Sequence, residues 1–450
     1  MRTTKLVIAA LVVPAALAAQ LPTGFIPRSI ALGGSYTSLA RGWEAAFSNP
    51  AMLGATGRPS FTLGLPNVRV ETGSNSYTLS DFEKYANKTL DSADKAYLLH
   101  QITRDDSVLT IRGIVAAAPV GISFGSIALS AYTTGQVEGS LGADAVELAL
   151  YGNAERSGPG QYFTANGSGG TGWAATVLAG SFALPIGETA LGRLALGVTY
   201  KRVLGHALGR AGVLSSKFQV NPNFVARAEG QAIYTDEGGS CGSRSFSLSA
   251  SADPCSLNAG SGYGVDFGAV LQRGPNLTLS AVLVNALASM TWNTDRLVYE
   301  YTLDTLAERP DGGVDTLSES RTLRGAAIAG DPIARTMRDS LLANSGFSQL
   351  VRVGASLRKG WITLSAGGSV RIKQGLDEQP AQTISAGGEL RLLHILPIRA
   401  GISSDLSNTV VLSAGSGIQL LGVNLDASIA SISGSNRPGV IVGLGASLIW

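Results

Sequence analysis

Few side chains in this sequence have the spacing that catalysis requires. The three histidines, His100, His206 and His394, fall in different predicted regions of the chain. There is no nucleophile elbow, zinc-binding motif or phosphate-binding loop, and no paired histidine–carboxylate spacing. We therefore expect no enzyme activity, no bound metal and no cofactor. Sequence spacing does not detect a Ser–His pair whose two residues are distant in the chain and meet only in the folded protein.

The two cysteines, Cys241 and Cys255, are close together in the chain. In an exported protein, an even pair at short separation predicts a disulfide. Closing a loop of that size contributes roughly 3 kcal/mol in the chain-entropy account. A metal site would need more ligands, and His206 is the only histidine near the pair in sequence. Two free thiols are the alternative.

Charged residues recur at alternate positions of segments that are otherwise apolar and small. In a β-strand, alternate side chains share one face, and charge is destabilising on a face that meets lipid. Such charges would hold a carboxylate head group or lock an internal segment by ion pairs; alternatively, they form a solvated, salt-bridged wall. The residues are Arg193, Lys201, Arg352, Arg358, Arg371 and Arg391, with Asp266, Glu389 and Asp426.

The C-terminal twelve residues show which elements would position these charges. Their bulky apolar residues all fall on one face of a strand, and the other face is mostly small. The pattern resembles the C-terminal signal that outer-membrane barrels present to the barrel-assembly machinery, with Leu448 and the final Trp450 as its principal residues. The apolar face comprises Val440, Val442, Leu444, Ala446, Leu448 and Trp450.

Similar alternation recurs at 193–201, 263–272, 362–371, 383–392 and 423–429. Each segment is about ten residues long, the length of a tilted transmembrane strand. The second face is rich in Gly, Ser and Thr, whereas the solvent face of a soluble sandwich would be rich in Lys and Glu. We predict an all-β, antiparallel transmembrane barrel of about fourteen strands that contacts outer-membrane lipid.

The N-terminus and the composition agree with export to a bacterial outer membrane. A basic start, an apolar run at 6–17 and the small residues Ala16 and Ala18 predict a cleaved signal peptide at 1–19. The chain has 57 glycines, 15% charged residues and a net charge of +2. So small a net charge argues against nucleic acid as a partner.

Short and long connections alternate along the predicted barrel at 59–450. Short turns are expected at 119–120, 185–190, 273–276, 358–360 and 394–397, and long extracellular loops near 71–107, 139–171, 205–261 and 289–346. The long loops could carry hairpins of their own, for example at 217–235 and 320–329. In the first loop, the Ser80-x-x-Glu83 spacing predicts a helix. This helical loop is either a lid with Phe82, Tyr85, Tyr97 and Leu98 facing a ligand route, or simple loop packing.

Residues 20–58 do not alternate and are broken by glycine, so they cannot lie against lipid and are expected inside the barrel. Asn49 and Pro50 would fix a turn there. The segment resembles the N-terminal hatch of the FadL-like long-chain fatty-acid transporters and of the related PorV/PorQ proteins of type IX secretion. Residues 262–272 and 277–285 resemble a hairpin of the same superfamily. The hatch residues that carry the resemblance are Gly33, Gly34, Asn49, Pro50 and Ala51.

The resemblance implies a fourteen-stranded barrel plugged by the hatch and passive transport of a hydrophobic small molecule, such as a long-chain fatty acid. In those transporters the substrate binds above the hatch and leaves through a lateral gap. A secretion-accessory role with a protein partner is the alternative, and a structural or adhesive surface protein is a third. Transport predicts an apolar cavity on the hatch and a break in the wall. The secretion role predicts a closed wall and a large apolar patch on the loops.

Overall fold

Most of the chain forms strands of one antiparallel sheet. The computed structural model describes residues 24–85, 88–103, 108–153, 156, 158–221, 223–236, 259–393, 395–434 and 438–450. The predicted signal peptide at 1–19, the pair Cys241 and Cys255, and His394 lie outside the described residues.

The strands, in chain order, are β1 (Phe61–Ser74), β2 (Val108–Phe124), β3 (Ile127–Gly142), β4 (Gly169–Thr189), β5 (Gly192–Gln219), β6 (Val225–Thr235), β7 (Gly260–Arg273), β8 (Leu277–Trp292), β9 (Leu297–Glu308), β10 (Val314–Arg324), β11 (Gln349–Lys359), β12 (Ile362–Lys373), β13 (Gln382–Leu392), β14 (Leu396–Ser404), β15 (Val410–Leu420), β16 (Val423–Ser433) and β17 (Gly439–Ile449).

Fourteen of these strands close into a barrel, which confirms the predicted architecture. The ladder runs from β1 through β5, continues through β7, β8 and β11, and then follows chain order to β17. β17 pairs with β1 from Thr62↔Ile449 to Gly73↔Gly439, so the barrel has no free edge. Residues Phe61 and Trp450 exchange two more backbone hydrogen bonds at 3.0 and 3.1 Å.

The other three strands, β6, β9 and β10, extend the sheet beyond the barrel. The long strand β5 pairs with β7 from Arg193 to Gly205, and then with β6 from Gly209 to Gln219. β6 pairs with β9, and β9 with β10. Thus the loops predicted at 205–261 and 289–346 contain strands. We call this end of the barrel the loop end and the opposite end the short-turn end.

Side chains alternate between the two faces of the wall as the period-two pattern predicts. The outer face is apolar and exposed at positions such as Leu196, Leu364, Leu425 and Leu444. An apolar surface of this extent is typical of contact with lipid. The inner face is buried and carries the small and charged residues.

The turn predicted at Pro119–Val120 is wrong, because β2 continues to Phe124. The ladder passes from Ala117↔Thr133 to Val120↔Ala131, so two residues of β2 lie opposite Tyr132 alone. A bulge leaves a residue outside the ladder, and proline, which has no N–H to donate, is accommodated there.

The helices are α1 (Pro27–Ala31), α2 (Leu79–Tyr85), α3 (Ser92–Thr103), α4 (Ala143–Tyr151), α5 (Ala327–Gly330) and α6 (Pro332–Leu342), with 3₁₀-helices at Gly42–Ala46, Pro50–Gly54 and Thr294–Arg296.

The first long loop is helical as predicted, but its capping differs from the prediction. Thr78 and Asp81 form the capping box: the Thr78 backbone N–H donates to Asp81 Oδ2 at 2.8 Å, and the Asp81 N–H donates to Thr78 Oγ1 at 3.2 Å. The predicted box at Ser80 and Glu83 was therefore shifted by two residues. In the described part of the chain, none of the helices combines the length and apolarity needed to span a membrane.

Candidate functional site

The N-terminal segment described from Gly24 to Arg58, which we call the hatch, lies inside the barrel and is almost entirely buried. Its aromatic residues Phe25, Trp43 and Phe47 pack on each other and on Tyr132 of β3, with ring centroids 4.9–6.5 Å apart. This cluster fills the lumen beside β1 to β4 and forms the main hydrophobic core of the molecule.

Asn49 fixes one end of the hatch to the wall. Its Oδ1 accepts a hydrogen bond from the Ala51 backbone N–H at 3.0 Å and caps the helix Pro50–Gly54. Its Nδ2 donates to the backbone carbonyls of Ala269 in β7 and Ala281 in β8, at 3.3 and 3.2 Å. The side chain therefore both sets the local turn and bridges two wall strands.

Glycines on both sides allow the hatch to touch the wall backbone. Gly33 and Gly34 have φ of +64° and +84°, which side chains disfavour. A Cβ on Gly33 would lie 2.8 Å from the Ile402 carbonyl oxygen of β14. In β7, a Cβ on Gly268 would overlap Asn49 Oδ1. Contact this close requires glycine at these positions.

A buried ion network joins the hatch to strands β13, β14 and β16. Arg28 of α1 donates to Glu389 through Nε at 3.0 Å and through Nη2 at 3.2 Å. Glu389 also accepts from Arg391 Nε and Arg399 Nε, both at 2.8 Å. Arg399 Nη1 reaches Asp426 Oδ1 at 2.5 Å. One fully buried carboxylate thus receives three guanidinium groups.

A second polar contact lies within the hatch itself. The Tyr36 hydroxyl donates to Glu44 Oε2, and both side chains are buried. Burial raises the pKa of the Glu44 carboxyl, and the Arg28 guanidinium opposes that rise. The hatch interior is therefore organised around charge as well as aromatic packing.

A separate polar cluster lies across the lumen, where β8 bulges. Lys201 Nζ donates to Asp266 Oδ1 at 2.8 Å and to Asn285 Oδ1 at 3.2 Å. The Asn285 N–H donates to Asp266 Oδ1 at 2.7 Å, and its Nδ2 donates to the Ser348 carbonyl at 2.8 Å. Asn285 has φ of +53°, which asparagine tolerates better than most residues.

The wall is interrupted at this bulge. Between β7 and β8 the register passes from Val265↔Leu287 to Phe267↔Leu283, so three residues of β8 face Asp266. The ladder between β8 and β11 ends at Val284↔Leu350. Beyond that pair the segment Ser345–Ser348 takes the place of a strand: Asn285 bonds to Ser348, and Trp292 Nε1 donates to the Ser345 carbonyl at 3.0 Å.

A cavity of about 400 Å³ lies between the hatch and the loop end and borders this interruption. Phe25 and Phe47 of the hatch form its floor, and the wall residues Tyr132 and Trp173 add aromatic surface. The rest of the lining is mixed. It includes Arg352, whose buried Nε has no hydrogen-bond partner among the described residues. The remaining lining residues that matter here are Lys201, Val284, Asn285, Met290, Gly346, Phe347, Lys373 and Asp377.

The charged residues proposed from the sequence fall into separate groups. Glu389, Arg391 and Asp426 meet in the hatch network, and Lys201 and Asp266 meet at the bulge. Arg371 donates to the Gln379 carbonyl near the loop end. The expectation for Arg193 is corrected: it is exposed beside the short-turn end and pairs with Glu188 at 2.8 Å, because the β4–β5 hairpin extends past its neighbours.

The other candidate residues are placed as follows. Arg358 is exposed at the short-turn end. His206 bonds to Thr176 on the outer face at 2.7 Å, and His100 lies in α3. The Phe82 side chain lies outside the described residues; none of the described side chains of α2 and α3 lines the cavity, and Ile102 packs with Leu109 and Val146. Leu448 lies in β17. Trp450 directly follows the last residue of this strand, and its ring packs beside that of Phe61.

Three residues at these sites were missed in the sequence. Arg399 alternates with Ile398 and Ala400 and could have been found by the same period-two test. Arg28 lies in a helix, where that test does not apply. Asn285 carries no signal, because a bulge interrupts the alternation that would have marked it.

A fourteen-stranded barrel with its N-terminal segment folded into the lumen is the fold of the FadL-like outer-membrane transporters. The CymD monoaromatic hydrocarbon channel aligns over 96% of this chain and 99% of its own, at 12% identity and a TM-score of 0.51. A deltaS2S3 mutant of the TodX monoaromatic hydrocarbon channel aligns over 95% and 99%, at 13% identity and a TM-score of 0.50. A FadL homologue from Pseudomonas aeruginosa aligns over 96% and 100%, at 11% identity and a TM-score of 0.44.

The chain belongs to a family of unknown function, DUF5723, whose sequence profile matches residues 50–315. The match begins in the hatch at Pro50 and ends in β10. No curated protein matches the chain in sequence.

Proposed function

We propose that this protein is a passive channel for hydrophobic small molecules in a bacterial outer membrane. The observation that carries the proposal is the cavity, which rests on the hatch and borders the interruption between β8 and Ser345–Ser348. The likeness to two monoaromatic hydrocarbon channels supports this assignment. The apolar outer face supports the membrane placement.

The route begins at the loop end, beside α6. Leu342, the last residue of α6, lines the cavity, and a second cavity of about 270 Å³ lies between α6 and the wall. A hydrophobic molecule would descend onto the aromatic floor of Phe25 and Phe47. The ion network holds α1 in place, so the way down past the hatch is closed.

The exit lies sideways, between β8 and Ser345–Ser348. There the backbone ladder is replaced by side-chain bonds from Asn285 and Trp292, which can break without unpairing two strands. A molecule leaving here would pass directly to the apolar outer face. A secretion-accessory role would instead require a closed wall, and the interruption of the ladder does not favour it.

Arg352 selects among hydrophobic substrates. The Arg352 Nε has no hydrogen-bond partner among the described residues, which favours a ligand that carries a carboxylate, although the charges of Asp266 and Asp377 also act on this guanidinium. Palmitate should therefore bind more tightly than toluene, which offers only an aromatic ring to the cavity floor. Replacing Arg352 with methionine should weaken palmitate binding about tenfold or more, from the loss of a hydrogen bond to a charged group, and leave toluene binding unchanged.

A disulfide engineered across the proposed exit tests whether molecules leave there. A Cβ on Gly346 would lie 3.9 Å from Met290 Cβ, within the range for a disulfide. In a background with Cys241 and Cys255 replaced by serine, the double variant Met290→Cys with Gly346→Cys should block palmitate uptake into proteoliposomes when its disulfide is oxidised. Reducing the disulfide should restore uptake.

The matched control, Ser413→Cys with Ala430→Cys, bridges a continuous ladder pair of β15 and β16. Unchanged uptake through the oxidised lock would reject the lateral exit, and uptake no faster than through empty liposomes for the unlocked protein would reject the channel itself.

A further inference from the structure

Arg202 is a charged residue on the apolar outer face of the barrel. Outward positions of β5 up to this point are Leu194, Leu196, Val198, Tyr200 and Arg202, and all but Leu194 and Val198 are exposed. At outward positions of the fourteen wall strands, the described residues carry charge beside the short turns, as at Lys359, and at Arg202, but nowhere between. Arg202 makes no hydrogen bond or ion pair with another described residue.

Its height on the barrel places Arg202 near the outer edge of the apolar band. It lies eight residues above Leu194, the first apolar outward residue of β5, which corresponds to roughly 20 Å along a barrel axis at ordinary strand rise and tilt. An outer-membrane band is about 25 Å tall. Seven residues further on, at Gly209, β5 leaves the barrel to pair with β6. Arg202 therefore lies just inside the edge of the apolar band, where its long side chain can reach the lipid head groups of the leaflet nearer the loop end.

A groove of about 430 Å³ lies on the outer face directly below and beside Arg202. Small residues in the centre of the wall, with the bulge at Pro119, leave this space open. Its lining is almost entirely apolar apart from Arg202 itself. The larger side chains that border it are Val120, Ile122, Leu129, Leu178 and Tyr200.

Polar side chains continue upward from the groove. Thr133 and Thr176 share a hydrogen bond of 2.7 Å, and Thr176 shares another of 2.7 Å with His206 Nε2. His206 is two outward positions above Arg202 on the same strand. Polar side chains thus lie directly above Arg202 on β3 to β5, and the aromatic Tyr200 lies just below it, as interfacial aromatics do.

We propose that Arg202 binds the phosphate of a membrane lipid in the outer leaflet, and that one acyl chain of this lipid lies in the groove. Arginine on a lipid-facing surface is unfavourable unless its charge reaches the head groups. The guanidinium matches phosphate in charge and geometry, and the groove provides the apolar surface that a phosphate ion alone would not need. The site rests on the proposed outer-membrane placement, but it does not depend on transport.

The test uses the full-length protein in mild detergent and native mass spectrometry with three probes. These are dioleoyl phosphatidylglycerol, dioleoylglycerol with the same chains and no phosphate, and inorganic phosphate with no chains. Wild-type protein should bind the phospholipid at least tenfold more tightly than either of the others, as expected for a charge-assisted hydrogen bond. Arg202→Gln should remove that difference, and Arg202→Lys should retain part of it.

Two further variants separate the groove from the charge. Leu178→Trp fills the groove and should weaken phospholipid binding while Arg202 remains in place. Lys359→Gln removes an outward charge at the short-turn end and should have no effect. Equal phospholipid binding by wild type and Arg202→Gln would overturn the proposal, and so would dioleoylglycerol or inorganic phosphate binding as tightly as the phospholipid. Because the readout is lipid binding, failure of transport would leave this result unaffected.

Discussion

The hatch meets two unlike sides of the wall. On the anchoring side, formed by β13 to β16, the ladders run without a register shift, and Glu389 accepts from three guanidinium groups. On the interrupted side, formed by β7, β8 and Ser345–Ser348, three residues of one strand face a single residue of the other. The cavity borders the interrupted side.

The anchoring side holds the hatch, and the interrupted side is where a molecule would leave. Breaking the anchoring side would expose buried charge and unpair strands at the same time. The interrupted side substitutes a few side-chain hydrogen bonds for a backbone ladder, and each is worth only about 1 kcal/mol net. The hatch can therefore stay fixed while the wall beside the cavity yields.

The largest effect should come from the anchoring side. Glu389→Ala leaves the buried Arg28 and the partly exposed Arg391 without their acceptor, and Arg399 with Asp426 alone. Removing one partner of a buried ion pair typically costs about 3–5 kcal/mol. Thermal unfolding in detergent should show a large drop in melting temperature, and limited proteolysis should cut the hatch.

Glu389→Gln is the matched control, because it retains an acceptor of the same shape without the charge, and its loss should be intermediate. If Glu389→Ala melts like the wild type with an uncut hatch, the network does not anchor the hatch, and the contrast between the two sides fails.

A smaller effect is expected from Asn285 on the interrupted side. Asn285→Ala loses the bonds to Ser348 and Lys201, leaving polar groups unsatisfied at a cost of about 1–3 kcal/mol. Because these bonds close the proposed exit, palmitate uptake should rise while stability falls. Asn285→Gly loses the same bonds but accepts φ of +53° without strain, so it should show the same uptake at a higher melting temperature. Slower uptake in both variants would mean that Asn285 holds the route open rather than closed.

The two sides also differ in how far the sequence predicts them. Period-two alternation is local, so it placed Glu389, Arg391 and Asp426 on an inward face, and the alternation of short and long connections predicted about fourteen strands. It could not pair Arg28 with Glu389, which lie 361 residues apart, because that contact depends on the register of every strand between them.

The interrupted side is harder to predict because bulges break the alternation on which the prediction depends. Pro119 was interpreted as a turn, since proline ends most strands, whereas here it occupies a bulge within β2. Asn285 has no pattern around it at all, and the segment Ser345–Ser348 resembles an ordinary loop. Residues that interrupt a regular pattern are thus the ones that a pattern-based prediction loses; Asn285 and Ser345–Ser348 border the cavity, whereas Pro119 lies on β2, away from the interrupted side.

The smallest effect concerns α6, which covers the cavity at the interrupted side. Asp331 caps it, accepting from the Ile333 and Ala334 N–H groups at 3.0 and 2.9 Å and pairing with Arg321 at 2.7 Å. The Ala334 N–H bond and the Arg321 charge lower the Asp331 pKa, although partial desolvation opposes them. A lowered pKa in the folded state means that this stabilisation is complete above the ordinary aspartate pKa of about 3.9 and is lost as the pH falls below it.

Amide exchange in the first turn of α6 should therefore accelerate below about pH 4 in the wild type. Asp331→Asn keeps a capping side chain without a titrating group, so its exchange should not change with pH once the intrinsic rate is corrected. Asp331→Ala should exchange quickly at every pH. Because α6 ends at Leu342 on the cavity, acid should also speed palmitate uptake by the wild type more than by Asp331→Asn. If acid loosens α6 and leaves uptake unchanged, α6 does not limit access to the cavity, and control of the route would lie at the β8 interruption alone.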